Sequence, residues 1–126
     1  MERNTAQRAA VRQAFEESGR PMSPKEVLDA ARPHAPSIGI ATVYRAIKTL
    51  LEEQWISAVE IPGEPARYEV AGKPHHHHFL CRHCSKMYEV QGCLAGIRAL
   101  APAGFRLEAH HITLYGVCED CLSAGR

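Results

Sequence analysis

The spacing of apolar residues near the start of the chain predicts two short amphipathic helices. The first is capped by Asn4 or Thr5 and ends at Gly19. Its apolar positions recur at helical spacing and are Ala9, Ala10, Val11, Ala14 and Phe15. The run Ser-Pro-Lys-Glu at residues 23–26 is typical of a capping box with proline at the first helical position. A second helix is therefore predicted to begin at Pro24 and to end before the next proline.

A third helix and a hairpin follow. The helix is predicted at about residues 40–53, and its buried stripe comprises Ile40, Val43, Ile47, Leu50 and Leu51. Strand-like residues at 55–61 and 66–70 flank a Pro-Gly-Glu-Pro turn. Three helices followed directly by a hairpin predict a winged helix-turn-helix, in which the third helix enters the DNA major groove.

The pattern becomes strand-like after a short linker at residues 72–74. Strands are predicted at residues 79–81, 86–90 and 105–117, with a short helix at about 94–100. The aromatic residues predicted to lie in the core are Trp55, Phe79 and Phe105. The fold class is therefore α+β, with a winged-helix domain at residues 1–72 and a small α/β domain at residues 73–126.

Composition narrows the class of protein. The 126 residues are 45% hydrophobic and 23% charged, which is ordinary for a soluble globular protein. No apolar run approaches the roughly 18 residues that span a bilayer, so we expect no membrane partner. Five cysteines in a chain with no signal sequence indicate thiol chemistry in a reducing cytoplasm.

DNA binding requires a local basic surface, because the formal net charge is only +1. Arg3, Arg8 and Arg12 lie in a stretch whose only acid is Glu2. Of these, Arg3 and Arg8 are suited to the DNA backbone or a narrow minor groove. The exposed candidates on the third helix are Thr42, Tyr44, Arg45 and Lys48. The alternative for these four is a solvated helix face without a DNA role.

Two Cys-x-x-Cys pairs provide the strongest chemical signal in the chain. Cys81, Cys84, Cys118 and Cys121 supply the four thiolates that a tetrahedral structural zinc site requires. Coincidental pairs or disulfides are the alternatives. Four consecutive histidines at residues 75–78 precede the first pair and provide a second source of metal ligands.

These motifs together resemble the ferric uptake regulator superfamily, whose members sense iron, zinc, manganese, nickel or peroxide. The resemblance is carried by Gly-Ile-Ala-Thr-Val-Tyr-Arg at residues 39–45, by the histidine run before the first cysteine pair, and by Leu-Tyr-Gly-Val-Cys-x-x-Cys at residues 114–121. It implies an N-terminal winged-helix DNA-binding domain, a C-terminal dimerisation domain and repression by a metal-loaded homodimer. The chain begins where most members already have a helix, which predicts less DNA-facing surface.

The resemblance also assigns a regulatory metal site at the hinge between the domains. Glu69, His76, His78 and Glu89 match four of its five ligands. The fifth, a histidine of the second helix region, falls at Arg20 or Pro21, and neither side chain ligates metal. The four cysteines match the family's structural zinc site. Tyr44 and Arg45 match its recognition-helix positions, and Arg3 matches a basic residue near the minor groove.

An additional metal site is implied on the other face of the histidine strand, because side chains alternate along extended chain. His75, His77 and His110 match it, and Gly96 stands roughly where relatives place a glutamate. The fourth ligand is expected from Glu108, His111 or water, and a solvated histidine-rich strand is the alternative. Cys93 is expected to be a buried packing residue, with a ligand or redox role left open.

The implied function is a cytoplasmic transcriptional repressor that binds an AT-rich inverted-repeat operator as a homodimer. Zinc is expected at the structural site, and Fe²⁺, Mn²⁺ or Zn²⁺ at the regulatory site, where it favours the operator-binding conformation. The alternatives are a metal-buffering or metal-delivery protein, an iron redox carrier and, within the family, an iron-based peroxide sensor. No general base is evident beside an open metal position, so we do not expect an enzyme.

Overall fold

The computed structural model describes residues 2–125, with side chains described from Thr5 onward. The chain divides into two compact units, Met1–Lys73 and Pro74–Arg126. Among the described helices, none is both long and apolar enough to span a membrane. The elements in chain order are α1 (Glu2–Ser18), α2 (Pro24–Ala31), α3 (Ile40–Glu52), β1 (Ile56–Val59), β2 (Arg67–Val70), β3 (His76–Cys81), β4 (Met87–Gln91), a 3₁₀ turn (Ile97–Leu100), β5 (Thr113–Gly116) and α4 (Glu119–Ser123).

Three helices pack around one apolar core in the first unit. Helix α1 begins at Glu2, so the predicted cap at Asn4 or Thr5 is wrong. No proline or glycine interrupts the polar run before Gln7, and polar residues cost a helix only a few tenths of a kcal/mol each. Gly19 follows the end of α1, as predicted, with φ of 61° in the left-handed region.

Local signals define α2 and most of α3. The capping box is confirmed: Ser23 Oγ accepts the Glu26 N–H at 3.3 Å, and the Glu26 carboxylate accepts the Ser23 N–H at 3.0 Å. The buried residues of α3 are Val43, Ala46, Ile47 and Leu50. The predicted burial of Ile40 is wrong, since this first residue of α3 lies at the helix end and is 42% exposed. Leu51 is half-buried against the core.

The hairpin of β1 and β2 follows α3, packs against it and forms the wing. Strands β1 and β2 are antiparallel, with Ile56 opposite Val70. A further bridge joins Met22, in the loop between α1 and α2, to Tyr68 of β2, with a backbone hydrogen bond of 2.9 Å in each direction. The wing is therefore fastened to the loop between the first two helices.

The second unit is a three-stranded sheet in the order β4-β3-β5. Strand β3 is antiparallel to β4 and parallel to β5. Phe79 of β3 is half-buried and lies against Gly116 of β5, where a Cβ atom would be 2.9 Å from Cζ of the Phe79 ring. Glycine at this position lets the aromatic ring pack directly on the neighbouring strand.

The predicted strand at residues 105–117 is wrong over most of its length. Only its end forms β5, and residues 105–112 have no ladder partner among the described residues. Phe105 is 72% exposed, so its predicted place in the core is also wrong. A strand requires a hydrogen-bonding neighbour, which an alternating sequence does not by itself provide.

Two short helical segments also differ from the prediction. The helix predicted at residues 94–100 is reduced to the 3₁₀ turn, because Gly96 adopts a left-handed φ of 80° before it. Helix α4 was not predicted. Its signal was present, since Glu119 and Asp120 follow Cys118 as acidic residues of a first helical turn.

Candidate metal centres and nucleic-acid surface

The ends of β3 and β5 bring four cysteine thiols into one cluster. Cys81 Sγ lies 3.8 Å from Cys121 Sγ, and Cys84 Sγ lies 3.8 Å from Cys118 Sγ. All four sulfur atoms lie within 4.8 Å of one another. Tetrahedral zinc with Zn–S bonds of about 2.3 Å places its sulfurs about 3.8 Å apart, so the predicted ligands fit a structural zinc ion. The disulfide alternative is wrong, because the cysteines are free thiols.

Backbone amides prepare this cluster for a cation. The N–H groups of Cys84 and Cys118 donate to Cys81 Sγ at 3.5 and 3.3 Å, and such hydrogen bonds lower the pKa of the Cys81 thiol to about 5. Burial, together with the neighbouring thiols, raises the pKa of Cys121 to about 12. One thiolate therefore forms readily, whereas ionising all four requires a cation to balance the buried charge.

One face of β3 carries His76 and His78, with Glu89 of β4 opposite His78 in register. The two histidine rings are 4.9 Å apart, and His76 Nε2 is 3.6 Å from Glu89 Oε1. His76 Nδ1 donates to the Pro74 carbonyl oxygen at 2.8 Å, which leaves Nε2 facing the Glu89 carboxylate. Three predicted regulatory ligands thus lie together, and Glu69 is a buried side chain of β2.

A second cluster combines three histidines with Cys93. His75 Nε2 lies 3.0 Å from His110 Nε2. Cys93 Sγ lies 3.0 Å from His110 Nε2 and 3.2 Å from His77 Nε2. The structure therefore brings together the three histidines predicted for an additional metal site. The predicted packing role of Cys93 is wrong, because this residue is exposed.

Cys93 occupies the position that sequence reasoning left open for a fourth ligand. Glu108 is exposed and pairs with Arg106 at 2.8 Å, and His111 is exposed; neither belongs to the cluster. The signal that could have identified Cys93 is the pairing register of the hairpin formed by β3 and β4. Because His76 pairs with Gln91, residue 93 falls opposite residue 74, beside the start of the histidine run.

Burial and hydrogen bonding set the protonation of His77. Burial, followed by the charges of His75 and His110, lowers the pKa of His77, so the ring is neutral near pH 7. The Ile112 N–H donates to His77 Nδ1 at 3.3 Å. The proton of the neutral ring is therefore on Nε2, where it faces Cys93 Sγ.

Helix α3 and helix α1 form a polar surface in the first unit. Tyr44, Arg45 and Lys48 are exposed, and Tyr44 is 57% accessible. Arg45 Nη2 donates to Thr42 Oγ1 at 3.1 Å, which aligns the guanidinium with the helix. Arg8, Thr42 and Arg45 line a groove of about 230 Å³ together with Ala46 and Thr49. Five of the six predicted DNA contacts are thus exposed or line this groove, four of them on α3 and Arg8 on α1.

The other two arginines of the basic N-terminal stretch differ from Arg8. The side chain of Arg3 lies outside the described residues. Arg12 Nη2 is 3.3 Å from Glu53 Oε1, and its guanidinium lies 5.6 Å from the centre of the Trp55 ring. Arg12 thereby links α1 to the end of α3.

Residues 2–115 match the family model described as the ferric uptake regulator family. The ferric uptake regulation protein of Helicobacter pylori is 36% identical over 122 residues, which span 94% of this chain and 81% of that protein. The Campylobacter jejuni protein of the same name is 38% identical over 88 residues, which span 68% of this chain and 56% of that relative. The chain thus aligns with little more than half of the Campylobacter protein.

Solved structures agree with the fold. A zinc-bound manganese uptake regulator superposes with a TM-score of 0.77 at 27% sequence identity, over 89% of this chain and 87% of that one. The match includes both compact units, since it extends over most of the chain. The order of winged helix and α/β unit is therefore shared with a protein named as a metal uptake regulator.

Proposed function

Because this chain belongs to the ferric uptake regulator family, we propose that it is a metal-responsive transcriptional repressor that binds operator DNA as a homodimer. The observation that carries the proposal is the combination of a winged helix, whose α3 exposes basic side chains, with a four-thiolate cluster beside a histidine-rich strand. A metal-buffering protein does not require a winged helix with exposed basic side chains. Relatives named for iron, manganese and zinc make these three the metals to test.

The two parts of the chain have different roles in this proposal. Residues 1–72 bind DNA, and residues 73–126 dimerise and bind metal. Dimerisation is supported by large apolar side chains that are 47–79% exposed in the second part of the chain, since a partner copy removes such surface from water. These side chains are Leu94, Leu100, Phe105, Leu114, Tyr115 and Leu122.

DNA recognition in this proposal uses the surface formed by α1 and α3. Tyr44 and Arg45 meet base edges or phosphates in the major groove, with Thr42 and Lys48 beside them. Arg3 and Arg8 follow the backbone or enter an adjacent minor groove, which favours AT-rich operator sequence. Two α3 helices of a homodimer about one DNA turn apart would read an inverted repeat.

Replacing Arg45 by alanine should weaken operator binding without destabilising the protein. Loss of a base contact costs about 1–3 kcal/mol, and a homodimer loses one such contact from each subunit, so the dissociation constant should rise about 30-fold or more. Fluorescence anisotropy of a labelled operator measures the change. The matched control is Arg32→Ala, which removes the same charge from an exposed position outside α3. Equal weakening by the two substitutions would argue against α3 as the DNA-contacting helix.

The regulatory metal in this proposal is held by Glu69, His76, His78 and Glu89. Two carboxylates and two imidazoles form a donor set hard enough for Mn²⁺ or Fe²⁺, and one that zinc also binds. The hydrogen bond from His76 to the Pro74 carbonyl supports the assignment, because metal-bound imidazoles commonly donate their second N–H in this way.

Arg20 and Pro21 replace the histidine that the family resemblance places in the second helix region, so coupling to the helices needs another route. Arg20 is not available as a ligand, because its guanidinium has only N–H donors, and it pairs with the Glu26 carboxylate at 2.9 Å. Glu69 directly follows Tyr68, which is hydrogen-bonded to Met22 in the loop between α1 and α2. We propose that the position of Glu69 acts on the helices through this bridge and shifts the population toward the operator-binding arrangement.

Purified protein should bind its own upstream DNA tightly only when one particular divalent metal is present. Chelated protein is titrated into labelled promoter DNA by fluorescence anisotropy, with excess unrelated duplex as competitor. Manganese, iron without oxygen, and zinc are then added in turn. The metal that produces competitor-resistant binding is the proposed effector.

The alternatives predict different results in the same experiment. A metal buffer takes up several weakly held ions per chain and shows no competitor-resistant DNA binding with any of them. An iron carrier with metal in the four-thiolate cluster is red when oxidised, so a colourless zinc-containing preparation excludes it. Binding that is equally tight in chelator would contradict metal-responsive repression.

A further inference from the structure

We infer that Cys93 is the fourth donor of a separate zinc site, in which its thiolate joins the imidazoles of His75, His77 and His110. The four donors come from different places in the second unit: the start of the β3 histidine run, the loop after β4 and the segment before β5. This inference does not depend on DNA binding, and it concerns the face of β3 opposite His76 and His78.

The distances within this cluster suit one small cation. The three close approaches are 3.0 Å from His75 Nε2 to His110 Nε2, 3.0 Å from His110 Nε2 to Cys93 Sγ, and 3.2 Å from Cys93 Sγ to His77 Nε2. Zn–N bonds of about 2.0–2.1 Å and a Zn–S bond of about 2.3 Å give tetrahedral edges of about 3.3–3.6 Å. The donors need to move outward by only a few tenths of an ångström to surround zinc.

Cys93 decides which metal this site prefers. One thiolate with three imidazoles is a softer donor set than the His76, His78 and Glu89 face, and soft donors favour zinc over manganese or iron. The two faces of one strand therefore present different donor chemistry. We expect zinc on the Cys93 face even when the other face holds a harder metal.

Metal binding has a structural consequence at Ile112. The Ile112 N–H donates to His77 Nδ1 at 3.3 Å, which leaves the His77 proton on Nε2. When His77 binds zinc through Nε2, its ring proton lies on Nδ1 instead. There it points at the proton of the Ile112 N–H, and the hydrogen bond is lost. The segment before β5 must then shift slightly, and the Ile112 amide reports occupancy of the site.

Thiol labelling tests the inference directly. Protein with zinc retained in its four-cysteine cluster is treated with iodoacetamide in weak chelator, in added zinc or in added manganese, and mass spectrometry follows alkylation of Cys93. At free zinc tenfold above its dissociation constant about nine-tenths of sites are filled, so labelling should slow about tenfold. Manganese at the same concentration should protect much less.

Substituted variants distinguish zinc ligation by Cys93 from simple steric shielding of the Cys93 thiol. His110→Ala should label at one rate with or without zinc, whereas the neighbouring control His111→Ala should keep the zinc protection. Cys93→Ser should bind one fewer zinc per chain and should lose the zinc-dependent shift of the Ile112 amide resonance. Unprotected Cys93 in wild-type protein, or full protection in His110→Ala, would overturn the inference.

Discussion

Cys81→Ser is expected to lose the tightly held zinc and to unfold most of the second unit. A serine hydroxyl supplies neither the charge nor the softness of the thiolate that it replaces. Among residues 74–125, the apolar side chains described as buried are Leu80, Met87 and three of the ligand cysteines. So small a core rarely holds a fold alone, and structural zinc contributes about 10 kcal/mol or more in zinc-finger peptides.

Metal analysis and thermal unfolding check this prediction. Wild-type protein should retain one zinc per chain after exposure to moderate chelator, and Cys81→Ser should retain none and show a lost or greatly lowered transition for the second unit. His111→Ala is the control, because it removes an exposed side chain of the same unit that belongs to none of the metal-ligand clusters. Retained zinc and a wild-type transition in Cys81→Ser would show that the cluster is not a structural site.

The helical half of the fold was predictable because its signals are local. Ser23 and Glu26 specify the start of α2 within one turn, and Gly19 marks the end of α1 by its left-handed conformation. The start of α1 was not predictable in this way. Asn4 and Thr5 are common cap residues, but a cap residue that follows other helix-compatible residues does not force the helix to begin there.

The sheet of the second unit was less predictable because strands depend on distant partners. Alternation at residues 105–112 resembles a strand, yet the segment forms no strand ladder with any of the described residues. The same limit applies to Phe105, whose aromatic character indicated a core position although it is exposed in the single chain. Such a segment becomes covered when it lies at a homodimer interface. One sequence does not reveal which residues of the two copies would face each other there.

The ligands of the metal sites were likewise predictable only where they are close to one another in sequence. The four-thiolate cluster was predictable, because each Cys-x-x-Cys pair forms its knuckle from adjacent residues. Cys93 was not, because its place beside His75 and His77 follows from the pairing of β3 with β4. A shift of this pairing by one residue would exchange the faces of β3 and separate Cys93 from its histidines.

Replacing His76 and His78 together by alanine is expected to abolish metal-dependent operator binding while leaving the fold and the four-thiolate zinc intact. Both side chains lie on the sheet face that also carries Glu89 of β4, so the double variant removes both imidazoles from the proposed regulatory site. Coupling between an effector site and a second site is about 1–3 kcal/mol, so a metal-dependent gain of about 5- to 150-fold should disappear. Anisotropy titrations with and without the effector metal measure this gain.

The control for this variant removes two imidazoles from elsewhere in the chain. His34 and His83 are exposed and belong to neither histidine cluster, so their double alanine variant should keep the full metal response. Retained zinc and an unchanged unfolding midpoint in the His76 and His78 variant would exclude a general loss of structure. An undiminished metal response in that variant would place the regulatory metal away from this face. Because neighbouring residues of β3 point to opposite faces, the result assigns the response to one side of a single strand.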